Sequence, residues 1–350
     1  MNEADDYLRK GIAAQQRNDL NVAIDDYRKA LDINPKLAEA RANLGAALSE
    51  AGQFDAAIAE DTKALASAPD QTAVRMNLGL AYYKKGDMEN AHAAFSAVHL
   101  ARRQDVAAAV LLGYTDIKLG KSSEAAAMLT PLETGHESNM DLEYVLAYAL
   151  IDSGEETAGL PRMEKVAQAT QSADGYFIAG TARLRRREFH EARADLDATI
   201  NLHGDFPGLF TLAGQARDAL GDTDAARPAF EQALKADPRD FTANLYLGTM
   251  RLKARDFDSA KPMLELALQL QPANPMARLQ TAKLNGMTGK YTEAAATLEE
   301  LEKADPKWLD PHIELAAIYY KLHRPDDGQR ERDIVQQIEA GQQKAGPPKQ

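Results

Sequence analysis

The sequence predicts an all-α fold, a solenoid of ten stacked helix pairs, on three observations. A small residue returns at the same point of the chain at Gly11, Gly45, Gly79, Gly113, Ala147, Gly180, Gly214, Gly248, Ala282 and Ala316, in steps of 34 residues except for one of 33 between Ala147 and Gly180. A second small residue follows each after twelve positions, at Ala23, Ala57, Ala91, Ala125, Gly159, Ala192, Ala226, Ala260, Ala294 and Gly328. Between these marks, apolar residues recur three and four apart in two runs, the spacing of two amphipathic helices. A fixed period of this length belongs to units that bury their apolar faces only against their neighbours.

With the two small residues placed at positions 8 and 20, the units start at Ala4, Ala38, Thr72, Val106, Met140, Ala173, Pro207, Phe241, Pro275 and Leu309. The first helix carries its apolar side chains at positions 7 and 11, as in Leu44 and Leu48. It ends at position 15, which is glycine at Gly52, Gly86, Gly120, Gly154, Gly221 and Gly289, where the chain must reverse. Acidic residues at Asp19, Asp87, Glu155 and Asp222 then suit the start of a second helix. The second helix has a bulky side chain at position 24 in most units, among them Tyr27, Phe95, Leu129, Met163 and Phe230. Proline at Pro35, Pro69, Pro238, Pro272 and Pro306 closes it. Pro131 falls inside a second helix and should end or kink it, whereas Pro161, Pro228 and Pro262 sit near helix starts, where proline costs less. The small residues at positions 8 and 20 let the paired helices approach closely.

The runs Asn43-Leu44-Gly45, Asn77-Leu78-Gly79-Leu80-Ala81-Tyr82-Tyr83-Lys84-Lys85-Gly86 and Ala233-Leu234-Lys235-Ala236-Asp237-Pro238 carry a resemblance to the tetratricopeptide repeat (TPR) family. It extends over residues 4–342. The resemblance implies antiparallel helix pairs wound into a right-handed superhelix, with the first helix of each pair lining a concave groove. One family binding mode, the clamp on a chaperone's C-terminal carboxylate, is not implied. Asn43 and Asn77 match its asparagines, but Leu8, Ile12, Ala42, Ala46, Ala73 and Ala107 stand where it needs polar or basic residues.

A chain of 350 residues ordinarily divides into two or three domains. The uninterrupted period instead predicts one elongated array over 4–342, followed by a disordered tail over 343–350 that contains Pro347 and Pro348. Between Asp326 and Gln343 only Ile334, Val335 and Ile338 are large and apolar, as a capping helix requires. The net charge of −12 argues against nucleic-acid binding. No run of 18 apolar residues spans a membrane, and no signal peptide is visible. The expectation for the chain as it stands is cytoplasmic. The alternative is a bacterial periplasmic or secreted protein, if a signal peptide preceded the first unit and was removed. The absence of cysteine rules out disulfides and thiolate metal sites.

Catalytic spacing is missing. None of the seven histidines forms an H-E-x-x-H pair, and His190-Glu191 has no second histidine. Gly286-Met287-Thr288-Gly289-Lys290 lacks the spacer of a phosphate loop and coincides with a repeat turn. No catalytic residue, metal ligand or cofactor is expected, and the chain is read as a non-enzyme.

Given the resemblance, positions 2, 5, 9, 12 and 13 of the first helices form the inner face. Units 3 to 6 are the most aromatic there and also the least regular, lacking the position-32 proline. The candidate binding residues are Tyr83, Tyr114, Tyr144, Tyr148 and Phe177 as apolar anchors, with Lys118 and Arg185 orienting acidic groups. The competing reading of the tyrosines is packing between helices, and of the lysines, helix C-terminal preference. Acids at position 2, such as Asp174, are ascribed to the helix N-terminus. Units 7 to 9 present a more polar set: Thr211, Gln215, Asp218, Thr249, Lys283 and Gly286. The expected partner is a protein or extended peptide, with acidic groups, bound by a monomer or weak homodimer. The alternatives are an accessory module of an enzyme or secretion complex, and a self-associating structural protein.

Overall fold

The computed structural model describes the backbone of residues 2–345 and the side chains of residues 2–341. Among the described residues there are twenty α-helices and no strand. Contacts cluster into two compact units, one up to Ala182 and one from Arg183 on. The first holds α1 (Glu3–Gln16), α2 (Leu20–Ile33), α3 (Ala38–Glu50), α4 (Phe54–Ser67), α5 (Thr72–Lys85), α6 (Met88–Ala101), α7 (Val106–Lys118), α8 (Ser122–Glu133), α9 (Met140–Asp152), α10 (Glu156–Thr170) and most of α11 (Ala173–Arg185). The second holds α12 (Phe189–Asn201), α13 (Leu209–Ala219), α14 (Thr223–Ala236), α15 (Phe241–Lys253), α16 (Phe257–Leu270), α17 (Pro275–Met287), α18 (Tyr291–Ala304), α19 (Leu309–Lys321) and α20 (Pro325–Ala345). Neighbouring helices pack together from α1 to α10 and from α12 to α20.

The two small residues per repeat have a definite partner. A Cβ placed on Gly11 would lie 2.6 Å from Tyr27, one on Gly79 2.7 Å from Phe95 Cδ1, and one on Gly214 2.6 Å from Phe230. The bulky side chain at position 24 thus lies flat on the position-8 glycine of its own pair, and Tyr27, Phe95, Leu129, Met163, Leu196, Phe230, Leu264 and Leu298 are all fully buried. Two pairs depart from this: in the last, position 24 is the exposed Arg332. On α4 the place belongs to Asp61, fully buried beside Gly45, with neither carboxylate oxygen hydrogen-bonded. Burial, helped by Glu60, pushes this carboxyl up to about 7, because ionising it there leaves a charge without water or partner.

The turns are uniform even where the sequence is not. Position 15 has positive φ at the six expected glycines and also at Asn18, Arg187, Arg255 and His323, with φ between 57 and 64°. The reversal between paired helices imposes the left-handed conformation whatever residue is present. Asp87 and Asp222 cap α6 and α14 with their side chains, while Asp19 and Glu155 precede α2 and α10 without a side-chain cap bond. Helix α8 runs through Pro131, forfeiting one hydrogen bond, and ends two residues later at Glu133. Helices α10, α14 and α16 continue past Pro161, Pro228 and Pro262, each forfeiting one hydrogen bond near the helix start. Helix α13 starts two residues late, because Gly208, with φ 77°, holds its N-terminus open.

Proline at position 32 also fixes the junction between repeats. At four of the five such prolines the carbonyl accepts from the side chain six residues on: Arg41 Nη2 to Pro35 (2.8 Å), Arg75 Nη2 to Pro69 (2.6 Å), Asn244 Nδ2 to Pro238 (3.1 Å) and His312 Nε2 to Pro306 (3.1 Å); after Pro272 the corresponding Arg278 bonds Glu300 instead. Where Glu137 replaces proline, the residue six on is the acid Glu143, and Lys165 supplies the donor, bonding both the Glu137 carbonyl (3.0 Å) and Glu143 Oε1 (2.7 Å). At the far end Ile334, Val335 and Ile338 are half-buried among exposed polar residues, as a cap requires. Helix α20 runs to Ala345, so residues 343–345, expected to be tail, are helical: no proline intervenes before Pro347, and the helix carries on through Gly341. Residues 346–350, with Pro347 and Pro348, lie outside the described residues.

Candidate binding face

In the first unit, α5, α7, α9 and α11 carry the aromatic positions. The rings of Tyr83 and Tyr114 meet edge to face with centroids 6.0 Å apart, and Lys118 Nζ lies 5.2 Å from the Tyr114 ring centroid. Tyr144 and Tyr148, one helical turn apart on α9, meet edge to face at 6.3 Å. The Tyr144 hydroxyl donates to Asp174 on α11. All four tyrosines and Phe177 are half-buried, while Lys118 is exposed at the end of α7. The face therefore serves both readings of the tyrosines: the rings pack edge to edge, and their remaining surface lies open beside a cation.

Burial pushes the Tyr83 and Tyr114 phenols up, so both are protonated donors at neutral pH. Burial also raises Asp174, against the opposing pull of Lys118. Asp174 is thus part of this face, accepting from Tyr144 and sharing the field of Lys118, although its position suggested only a helix N-terminal charge. The signal for it in the sequence was the column of acids at position 2.

Arg185 is exposed and belongs to the second unit. Its neighbours in the basic run are engaged locally. Arg183 pairs with buried Asp195 at 2.6 Å, Arg186 with Glu188 at 2.7 Å, and Arg187 lies 5.9 Å from the Phe189 ring centroid.

The second unit has a concavity that composition did not mark. A pocket of about 430 Å³ opens between α13, α15 and α17, lined by Asp218, Tyr246, Thr249, Lys253, Met276 and Gln280. Tyr246 stacks on Phe230 at 4.9 Å. Asp218 is raised by burial with Lys253 opposing, repeating the tyrosine, acid and lysine grouping of the first unit. Met276, Met287, Ile313 and Tyr320, all at inner-face positions, are among the exposed large apolar side chains. Lys283 is ion-paired to Asp310 (3.4 Å) and Glu314 (3.3 Å), which removes it from the free cations of the face. Elsewhere in this unit, Glu302, His312 and Glu331 come together as the one group of metal-ligating side chains among the described residues.

Comparison with known proteins accords with the repeat architecture. A family model described as TPR repeat matches residues 15–52, and two described as tetratricopeptide repeat match residues 47–105 with 211–254, and 251–313. No curated protein matches the sequence. Among solved structures, a tetratricopeptide repeat protein from Parabacteroides merdae ATCC 43184 is similar at a TM-score of 0.54 and 15% identity, over 76% of this chain and 99% of that one. The APC/C hetero-tetramer Cut9–Hcn1 contains a chain similar at a TM-score of 0.50 and 10% identity, over 98% of this chain and 95% of that one. At these identities the likeness is one of fold. No helix among the described residues is long and apolar enough to cross a membrane.

Proposed function

Because the chain belongs to the tetratricopeptide repeat family, we propose that it is a non-catalytic scaffold that holds another protein, as an extended segment, against its first helices. The observation that carries this reading is the group on α5 and α7. An exposed ammonium stands over the open side of a tyrosine pair whose hydroxyls remain protonated. Aromatic rings already packed against each other offer area at little entropic cost, and the lysine selects a segment bearing carboxylates. Tyr144, Tyr148 and Phe177 extend the face along α9 and α11, with Asp174 available to a donor on the partner.

The pocket of the second unit favours a second contact, in which Lys253 and Met276 take the same roles beside Tyr246. The test is selection of peptides from a random display library on the purified chain, followed by fluorescence anisotropy of the selected peptides. Acidic, apolar-rich sequences are expected. Lys118→Glu should weaken them about tenfold or more, in line with losing about 1.4 kcal/mol of charge complementarity. Tyr144→Ala/Tyr148→Ala should weaken them further. Unchanged affinity in both variants removes the site from the first unit.

A further inference from the structure

We propose that Glu302, His312 and Glu331 form a binding site for a divalent transition-metal ion of Zn²⁺-like chemistry, where α18, α19 and α20 meet in the second unit. One ligand atom from each residue lies within 4.8 Å of the other two. His312 is 1% exposed and Glu331 7% exposed, so two of the three ligands are fixed by packing. Glu302 is half-buried, which gives an ion a way in and leaves room for water as a further ligand.

The histidine is oriented for the task. Its Nε2 lies 3.1 Å from the Pro306 carbonyl oxygen, which only accepts, so Nε2 carries the proton. Nδ1 then faces the carboxylates, 2.7 Å from Glu331 Oε2. Two acceptor atoms at that distance require a cation between them, either a proton, on Nδ1 or on the carboxyl, or a metal. An imidazole that ligates through one nitrogen and donates the other N–H to a backbone carbonyl is the usual arrangement at metal sites. Bond lengths of roughly 2.0–2.2 Å place ligand atoms about 3–3.5 Å apart, so the Nδ1–Oε2 contact opens by a few tenths of an ångström.

Charge balance points the same way. Two carboxylates share one imidazole, and protonating the ring still leaves one negative charge over. The nearby Arg324 is engaged with Asp327 and Glu299. Mixed nitrogen and oxygen ligands suit Zn²⁺ and its neighbours better than Mg²⁺ or Ca²⁺, which prefer oxygen alone. The fold does not need a histidine for the proline carbonyl: Arg41, Arg75 and Asn244 make the same bond at other junctions without offering a lone pair.

The test is calorimetric titration of the chelator-treated full chain with Zn²⁺, with Co²⁺ absorption as a spectroscopic check on nitrogen ligation. His312→Asn keeps a donor to the Pro306 carbonyl, as Asn244 does for Pro238, but removes the ring. Glu302→Gln removes a ligand and leaves the His312–Glu331 contact in place, so the test does not depend on that contact for folding. The wild-type chain should bind one equivalent, with a thermal midpoint raised by Zn²⁺. Each variant should lose about 10–100-fold in affinity or more. Absence of stoichiometric binding by the wild type overturns the proposal. So does binding by both variants as tight as that of the wild type, which assigns the ion to carboxylates elsewhere.

Discussion

Replacing Asp61 by leucine should stabilise the protein, and by much more at pH 8 than at pH 5. The carboxyl is fully buried on α4, faces Gly45 and has no hydrogen-bond partner for either oxygen. Its folded pKa of about 7 compares with an ordinary value of 3.8. The folded state therefore holds a proton that the unfolded state has released. Between these values stability falls as pH rises, and above about pH 7 the full penalty is present. Three pKa units correspond to about 4 kcal/mol, of which roughly 1.5 is already lost at pH 5. Leucine fits the place, as Leu129 over Gly113 and Leu264 over Gly248 demonstrate. Its burial adds a pH-independent gain of about 1.5–3 kcal/mol at most. Hydrogen exchange of the α3 and α4 amides reads the local effect even where the repeats do not unfold in one step. The gain from Asp61→Leu should be about 3 kcal/mol larger at pH 8 than at pH 5. An equal gain at both pH values would refute the reasoning, since it would mean that Asp61 ionises as readily folded as unfolded.

Gly79→Val should cost about 1–3 kcal/mol by forcing Phe95 off the first helix, measured by urea unfolding; a neutral result would mean that the ring withdraws freely. Arg255→Gly should gain about 0.5–1 kcal/mol, because relief of a left-handed residue outweighs glycine's extra entropy in the unfolded chain, and a higher thermal midpoint is the expected reading.

Much of the fold was legible because it rests on local chemistry. The helix starts at Ala38, Thr72, Val106, Met140, Phe241, Pro275 and Leu309 coincide with the periodic starts, since spacing of apolar and small residues, turn glycines and closing prolines all act within one repeat. The candidate face was legible only as a list of positions. Tyr114 and Lys118 could be named, but the sharing of Asp174 by Tyr144 and Lys118 could not. Asp174 comes from the next repeat, and its neighbours depend on how far one pair turns against another. The polar stretch from Thr211 to Gly286 read as plain, yet it encloses a pocket, because concavity depends on backbone placement more than on residue type.

Sequence alone determined the repeat, the helix pairing and the reversal at the six position-15 glycines, whereas the left-handed conformation of Arg187 and Arg255 at the same position was decided by the packed helix pair. Tertiary structure alone decided that Asp61 lies without a partner, that His312 presents Nδ1 to two glutamates, and that four of the five position-32 prolines tie their carbonyl to the side chain six residues on. The division has one physical cause. Backbone preference and apolar periodicity act between residues a turn or a pair apart, whereas solvation and charge depend on every atom that packing brings close, wherever it stands in the chain.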